Sequence, residues 1–244
     1  MHPFNWRGWW NFVTGALGDM GCHLIDIPFK ALGLKYPTDV ECSVGTIFTK
    51  MWSADYYPEG CPPSSSVSLH FDATEKNLSP IQMTWSDGGI KPFHPDLLPA
   101  DVSIESNGII MIGEKGVITC DAYGEDPKLY RKGEPVVKGE KVKVLEPEFG
   151  HQRQWVDACK AGFNSAEHKS LTSSFDYSGP LTETVLMGNI AIRSYMLTEA
   201  TGNRRRSNYI GRKKLLWDGE NMKINNLEAA NQYVGRTYRK GWEL

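Results

Sequence analysis

An aspartate and a histidine four residues apart are the side chains of this sequence best suited to chemistry. Residues at this spacing lie on one face of a helix, so Asp19 and His23 are predicted to be neighbours, and Asp26 continues that face one turn further on. A carboxylate beside an imidazole orients the ring and holds its proton where a reacting hydroxyl can use it. The spacing therefore predicts acid–base chemistry, with Asp19 and His23 as the candidate catalytic residues.

Aromatic and polar side chains directly precede this helix. Trp6 and Trp10 are able to stack on the apolar face of a sugar ring, while Asn5 and Arg7 offer directional hydrogen-bond donors for hydroxyl or carboxylate groups. We therefore predict a substrate-binding surface formed by Asn5, Trp6, Arg7 and Trp10. The alternative is that the aromatic residues form only a plug over the core.

Besides a catalytic pair, Asp19 and His23 could form an ordinary structural contact or part of a metal site. The pair could be an ordinary helical contact, worth about 0.2–0.5 kcal/mol. A metal site that included Asp26 would need a second histidine, and none lies within helical reach, so no metal is expected. Glycines surround the pair, although each costs a helix up to about 1 kcal/mol. Bare backbone is useful where a ligand or another chain segment approaches closely, which favours a binding site.

The same glycines do not form a nucleotide-binding loop. A dinucleotide fold needs a strand, a Gly-x-Gly-x-x-Gly turn and a helix whose N-terminus receives the pyrophosphate. Gly15, Gly18 and Gly21 are instead three residues apart, and the residues before them do not form an apolar strand. We therefore expect no cofactor to bind to this chain alone.

Composition indicates one globular domain over residues 1–244, with the site helix in residues 1–33. A chain of 244 residues that is 40% hydrophobic can bury a core without disulfides or metals. The formal charge of -2 provides no field for nucleic acid, and Arg204-Arg205-Arg206 is too short to change this. Five cysteines without a Cys-x-x-Cys pair predict free thiols. No apolar run reaches the roughly 20 residues of a membrane span, and no targeting pattern opens the sequence.

The order of predicted elements is a helix, several strands, two helices and a tail, which is typical of an α+β fold. Alternation of apolar residues predicts the strands, and helical periodicity predicts the helices. We expect a large, mostly antiparallel, open-faced β-sheet with helices packed on one face. Gly33 is predicted to end the first helix. The predicted strands are 40–48, 67–71, 81–85, 108–112, 117–120, 215–217 and 222–224. The predicted later helices are 150–160, 181–197 and 227–234.

Several motifs, in the same order, resemble the second domain of the glucose-fructose oxidoreductase, inositol dehydrogenase and rhizopine-catabolism (Gfo/Idh/MocA) family. Trp6-Arg7, small residues and Asp19-Met20-Gly21-Cys22-His23 are similar to the signature that opens that domain. Gly113-Glu114-Lys115-Gly116-Val117-Ile118 resembles its glycine-bounded hairpin. Further matching segments are His151 to Gly162, Thr182 to Thr201 and Tyr238-Arg239-Lys240-Gly241-Trp242.

The resemblance implies the substrate-binding domain of an NAD(P)-dependent oxidoreductase that acts on a sugar or polyol hydroxyl. In the family, an N-terminal Rossmann domain binds NAD or NADP and supplies a lysine from a Glu-Lys-Pro motif. This sequence lacks that motif, because Lys91-Pro92 follows Ile90 and not a glutamate. The resemblance also implies that His23 binds the reacting hydroxyl and relays its proton, while Asp19 orients the imidazole. Thr14-Gly15-Ala16 stands where many relatives have three glycines.

Two other functions also fit the sequence. One is a non-catalytic carbohydrate-binding or dimerisation module of the same fold, and the other is an NAD-using glycosidase, which also needs a nucleotide-binding domain. The expected partners are a sugar or polyol, the missing Rossmann domain and, because few helices are available to cover the sheet, further copies of the chain in a homo-oligomer. Neither nucleic acid nor a membrane is an expected partner. The expected compartment is cytoplasmic by default, and periplasmic if an export signal precedes the chain.

Overall fold

Antiparallel sheets and separate helices build the fold, which a computed structural model describes for residues 2–140, 150–200 and 208–243. The described strands form sheets of five, four and two strands. The predicted α+β class is therefore confirmed. The division into separate sheets differs from the single large sheet that we predicted. Arg204-Arg205-Arg206 and the last residue of the segment Thr182 to Thr201 lie outside the described residues.

Two short helices at the start of the chain carry the candidate catalytic pair. Helix α1 spans Gly15–Leu24 and α2 spans Asp26–Leu32. Gly33 ends α2 with a φ of 64°, as predicted, because glycine adopts a positive φ without steric cost. In the described ranges, no helix is long and apolar enough to cross a membrane. The remaining helices are α3 Gly150–Ala161, α4 Ala166–Lys169 and α5 Phe175–Ser194, and 3-10 turns cover Pro3–Gly8 and Glu228–Tyr233.

The strands fall into a central sheet, a second sheet and a short pair. The central sheet contains β1 Asp39–Val44, β2 Ser65–Phe71, β3 Ile81–Ser86, β10 Leu215–Asp218 and β11 Lys223–Ile224, in the order β11-β10-β1-β2-β3. The second sheet contains β4 Ile109–Gly113, β5 Gly116–Cys120, β6 Lys128–Tyr130 and β7 Val137–Lys138, and the short pair is β8 Thr198–Glu199 with β9 Asn208–Tyr209. The predicted hairpin is thus β4 and β5, and it pairs with the strand that follows it in the chain rather than with β3.

The two faces of the central sheet differ because side chains alternate along each strand. On one face, Val40 lies opposite Leu69, and both are fully buried. On the other face, Ser68 lies opposite Thr84, which is exposed. The central sheet therefore has one apolar face against the core and one polar, open face.

Helix α5 covers the apolar face of the central sheet and meets α1 there. A Cβ on Gly188 of α5 would lie 2.4 Å from Leu17 Cδ2 of α1 and 3.3 Å from Val67 Cγ1 of β2. Leu17, Val67 and the neighbouring Met187 are each at most 1% exposed. The absence of a side chain at Gly188 thus lets α1, α5 and the central sheet meet, which fixes the helix that carries Asp19 and His23.

Two helix predictions differ from the structure in extent or type. Helix α5 begins at Phe175, before the predicted start at 181, although Pro180 lies within it. Proline lacks an N–H group and disfavours a helix interior, so the sequence pattern placed the start after it. The segment predicted as helix 227–234 forms a 3-10 turn, in which Asn231 bonds to both backbone groups of Ile224 and joins the turn to β11.

Truncation of the buried leucine between α1 and α5 is expected to destabilise the fold. Leu17 is 1% exposed, so Leu17→Ala should leave a cavity and lower the free energy of unfolding by about 2–5 kcal/mol. Leu186→Ala on α5 is the matched control, because Leu186 is 42% exposed; it should cost less than about 1 kcal/mol. Urea denaturation followed by tryptophan fluorescence measures both losses, and equal losses would contradict the described packing.

Candidate functional site

The backbone of α1 is packed closely against the rest of the molecule. Gly15, its first residue, has a φ of 69°, and a Cβ there would lie 2.9 Å from the Cys61 sulfur. A Cβ on Gly21 would lie 3.2 Å from Val185 of α5. Bare backbone at both glycines thus makes room for other side chains of the protein rather than for a ligand.

Two of the predicted site residues form an ion pair. Arg7 Nε, at the end of the first 3-10 turn, donates a hydrogen bond of 2.7 Å to Asp19 Oδ2 on α1. The Arg7 guanidinium also lies over the Phe4 ring, 4.5 Å from its centroid. The two side chains are 45% and 31% exposed, so the pair contributes at most about 1 kcal/mol to stability. Its larger effect is to hold the 3-10 turn against α1.

His23 lies one turn beyond Asp19 on α1, and it is exposed. Its ring and that of Tyr123, in the turn after β5, meet edge to face at an angle of 66°, with 5.6 Å between the ring centroids. Among the described residues, no hydrogen bond joins Asp19 to His23; Asp19 is bound by Arg7 instead. The structure therefore brings Arg7 and Asp19 together and leaves His23 as an accessible imidazole on the same helix.

Asp26 is engaged elsewhere. It is the first residue of α2, and the Tyr177 hydroxyl of α5 donates a hydrogen bond to its carboxylate. Burial and, to a smaller extent, this hydrogen bond raise the pKa of Tyr177. The hydroxyl therefore stays protonated and donates its hydrogen bond to Asp26. The carboxylate of Asp26 therefore connects α2 to α5, and the predicted continuation of the catalytic face ends at His23.

The remaining predicted binding residues lie in two different places. Asn5 and Trp6 belong to the first 3-10 turn and are exposed, and Trp6 stacks on Phe12 with 5.4 Å between the ring centroids. The two rings are thus at the surface and do not plug the core. Trp10 lies beyond the turn and lines two cavities, neither of which is lined by the candidate catalytic pair.

A loop between β1 and β2 positions Trp10. The backbone N–H of Trp10 donates a hydrogen bond of 2.9 Å to the Glu59 carbonyl, and the backbone N–H of Cys61 donates one of 2.8 Å to the Gly8 carbonyl. These two bonds hold residues 8–10 antiparallel to residues 59–61. The loop therefore fixes the backbone of Trp10, whose ring lies at the wall of both cavities.

The first of these cavities is an open cleft of about 610 Å³, its mouth included, which we call the aromatic cleft. It lies between the loop that joins β1 to β2 and the C-terminal half of α5. The guanidinium carbon of Arg193 lies 5.5 Å from the centroid of the Trp10 ring and 4.3 Å from that of Tyr233. The aromatic and charged residues that line the cleft are Trp10, Asp55, Tyr56, Tyr57, Arg193 and Tyr233.

The second cavity adjoins the aromatic cleft, and Trp10 and Cys61 line both. Asn189 of α5 is 4% exposed there, and neither polar atom of its side chain has a hydrogen-bond partner among the described residues. Asp87 on the same wall accepts hydrogen bonds from the N–H and the hydroxyl of Ser65. The Asp87 carboxylate is therefore engaged, whereas the Asn189 amide is not.

A histidine and an aspartate that sequence analysis did not connect are paired on the central sheet. His70 Nδ1 lies 2.6 Å from Asp39 Oδ1, and Lys214 Nζ lies 3.4 Å from the same oxygen. The register of β1 and β2 places Asp39 directly opposite His70. Only this register reveals the pair, since the two residues are distant in sequence. The group joins β10, β1 and β2.

Burial favours the protonated thiol of Cys61, which lines both cavities. Burial raises the pKa of Cys61 to about 12, although the charge of Arg193 acts in the opposite direction. Burial also raises the pKa of Cys42 to about 12. All five cysteines are free thiols, as predicted, and Cys22 and Cys159 are exposed.

The site has to be interpreted from its own geometry. In sequence comparisons, no protein family and no characterised protein matches this chain. The geometry offers an exposed imidazole, a carboxylate held by an arginine, and an exposed indole in the adjoining turn. These groups can bind a hydroxyl-bearing ligand and accept or return a hydroxyl proton.

The pKa shifts predict the order in which the cysteines react with iodoacetamide. At pH 8 a thiol with a pKa of about 12 is ionised to only about one part in ten thousand. Cys42 and Cys61 should therefore stay unmodified in the native protein, while Cys22 and Cys159 react. Peptide mass spectrometry measures this, with the protein in urea as the control in which all cysteines react. Early modification of Cys61 in the native protein would contradict the assigned shift.

Proposed function

We propose that this chain is the substrate-binding domain of an NAD(P)-dependent oxidoreductase that acts on a sugar or polyol hydroxyl, and that a nucleotide-binding domain completes the enzyme. The resemblance to the Gfo/Idh/MocA family suggests this function. The observation that carries it is the exposed His23, one turn beyond Asp19 on a helix fixed to the core. An accessible imidazole in a fixed position suits proton transfer to and from a substrate hydroxyl.

The nucleotide is assigned to another domain because the residues of this chain do not fit it. A pyrophosphate would need a glycine turn with free backbone N–H groups. The glycine-rich segment of α1 has the wrong spacing, and the space beside Gly15 and Gly21 is taken by Cys61 and Val185. We therefore derive only the handling of the sugar and its proton from this chain.

Each residue of the site has a role that its contacts support. His23 hydrogen-bonds the substrate hydroxyl and takes part in moving its proton. Arg7 neutralises Asp19 through one carboxylate oxygen, which leaves the other oxygen for a second substrate hydroxyl or for the imidazole. Trp6 stacks on the C–H groups of the sugar ring, and Asn5 offers an amide donor and acceptor.

A non-catalytic carbohydrate-binding module is the second candidate, and one observation favours it. The hydrogen-bond partner of Asp19 is Arg7 and not His23. An imidazole used as a general base is usually oriented by a partner at its second nitrogen. A binding module needs only the ring of Trp6 and the polar groups around it, so the two candidates differ in how strongly the ligand depends on His23.

Binding of myo-inositol to the chain tests the proposed role of His23. His23→Ala should weaken the affinity about tenfold, because loss of a hydrogen bond to a substrate hydroxyl costs about 1.4 kcal/mol. Trp6→Leu should also weaken it, because the stacking surface is lost. Asp72→Asn, at an exposed carboxylate after β2, is the control and should leave the affinity unchanged. Isothermal titration calorimetry measures all four proteins.

Three outcomes would overturn the proposed function. Normal affinity in His23→Ala together with lost affinity in Trp6→Leu would favour the carbohydrate-binding module. Absence of polyol binding by the unmodified chain would contradict both candidates. Saturable NADH binding by the chain alone, measured by fluorescence titration, would contradict the assignment of the nucleotide to another domain.

We also propose that copies of the chain associate through the open face of the central sheet. Glu41, Ser43, Gln82 and Thr84 on this face are exposed, and Ser68 lies near its centre. Ser43, Ser68 and Thr84 are short, so a second sheet can approach this part of the face closely.

Substitution at the centre of the open face tests this association. Ser68→Arg should convert the oligomer into a monomer, because two bulky like charges would face each other across the two-fold interface. Ser103→Arg, in an exposed loop, is the matched control and should leave the mass unchanged. Light scattering coupled to gel filtration measures the mass. A concentration-independent monomer for the unmodified chain would contradict the proposed association.

A further inference from the structure

The aromatic cleft contains a cation that is held by rings rather than by a carboxylate. Arg193 lies over Trp10 and Tyr233 at 5.5 and 4.3 Å from their centroids. In the part of the chain that the structure describes, no ion pair involves Arg193. Contact with ring faces positions a guanidinium but leaves the N–H groups at its edge for another acceptor.

An arginine prepared in this way is suited to a carboxylate. The planar guanidinium presents paired N–H donors that match the two oxygens of a carboxylate. Arg193 is half-buried at the wall of the cleft, where hydrogen bonds to a charged group are less weakened by water than at an open surface. The cleft therefore has a recognition point for one anionic group of a ligand.

The other groups around the cleft are suited to a hydroxylated ring. Tyr56 and Tyr57 are exposed and present both an aromatic face and a hydroxyl. Asp55 receives a hydrogen bond of 2.9 Å from the Thr49 hydroxyl on one carboxylate oxygen, and its other oxygen is buried without a partner among the described residues. Aromatic faces stack on the C–H groups of a sugar ring, and the tyrosine hydroxyls can hydrogen-bond its hydroxyl groups.

We propose that the aromatic cleft binds a sugar acid, with the carboxylate on Arg193 and the pyranose ring against the aromatic residues. Neither Asp19 nor His23 lines this cleft, so the inference does not depend on the proposed function. Burial raises the pKa of Tyr233, and burial holds the Cys61 thiol protonated by raising its pKa to about 12. Arg193 therefore meets no phenolate or thiolate, and among the described residues no ion pair joins it to Asp55, the carboxylate that also lines the cleft.

Titration calorimetry with D-glucuronate tests this site. The unmodified chain should bind D-glucuronate at least about tenfold more tightly than D-glucose, which has the same ring without the carboxylate. Arg193→Met should reduce the affinity for D-glucuronate to that for D-glucose. Arg193→Lys, which keeps the charge but loses the paired donors, should give an intermediate affinity. Unchanged D-glucose binding by Arg193→Met shows that its loss of D-glucuronate affinity is not due to unfolding.

The chain supplies a matched control for the loss of a ring-stacked arginine. Arg212 lies over Tyr195 and Tyr209 at 4.7 and 3.5 Å from their centroids and does not line the cleft. Arg212→Met should therefore bind D-glucuronate like the unmodified chain. Equal affinity for D-glucuronate and D-glucose, or unchanged D-glucuronate binding in Arg193→Met, would overturn the proposal. Acetate binding as tight as that of D-glucuronate would show that the cleft recognises an anion without the sugar ring.

Discussion

The contact of Gly188 with Leu17 and Val67 is the constraint on which the other features of this fold depend. It brings α5 onto the apolar face of the central sheet and brings α1 onto α5. The N-terminal part of the site is then fixed by α1, while the C-terminal half of α5 carries Asn189 and Arg193 to the two cavities. One closely packed crossing thus sets the positions of three separate groups of polar side chains.

Charge is distributed differently in the two candidate binding regions. At the surface of α1, Arg7 pairs with Asp19, so the polyol that we propose as ligand would meet hydrogen-bonding groups and a paired carboxylate. In the aromatic cleft, Arg193 is held by rings and keeps its charge available. Neutral and anionic ligands are therefore suited to different regions of the same molecule.

Local sequence patterns predicted the features that neighbouring residues decide. The hairpin at 109–120 follows from a glycine turn between apolar runs, and Gly33 ends α2 because it adopts a positive φ. Features that depend on distant segments could not be predicted in this way. The pairing of Asp39 with His70 requires the strand register, and the choice of Arg7 over His23 as the partner of Asp19 requires the fold of the first 3-10 turn. The separation of the sheets is likewise a matter of tertiary packing.

Trp10 links the two regions through the backbone. Its ring lies at the wall of the aromatic cleft, and its backbone N–H donates a hydrogen bond to the Glu59 carbonyl. Arg7 precedes it by only three residues. The Arg7–Asp19 ion pair and the wall of the aromatic cleft thus share one short segment of backbone, from Arg7 to Trp10. Two bonds to the loop between β1 and β2 hold this segment, so a change at either end has only three residues to cross before it reaches the other.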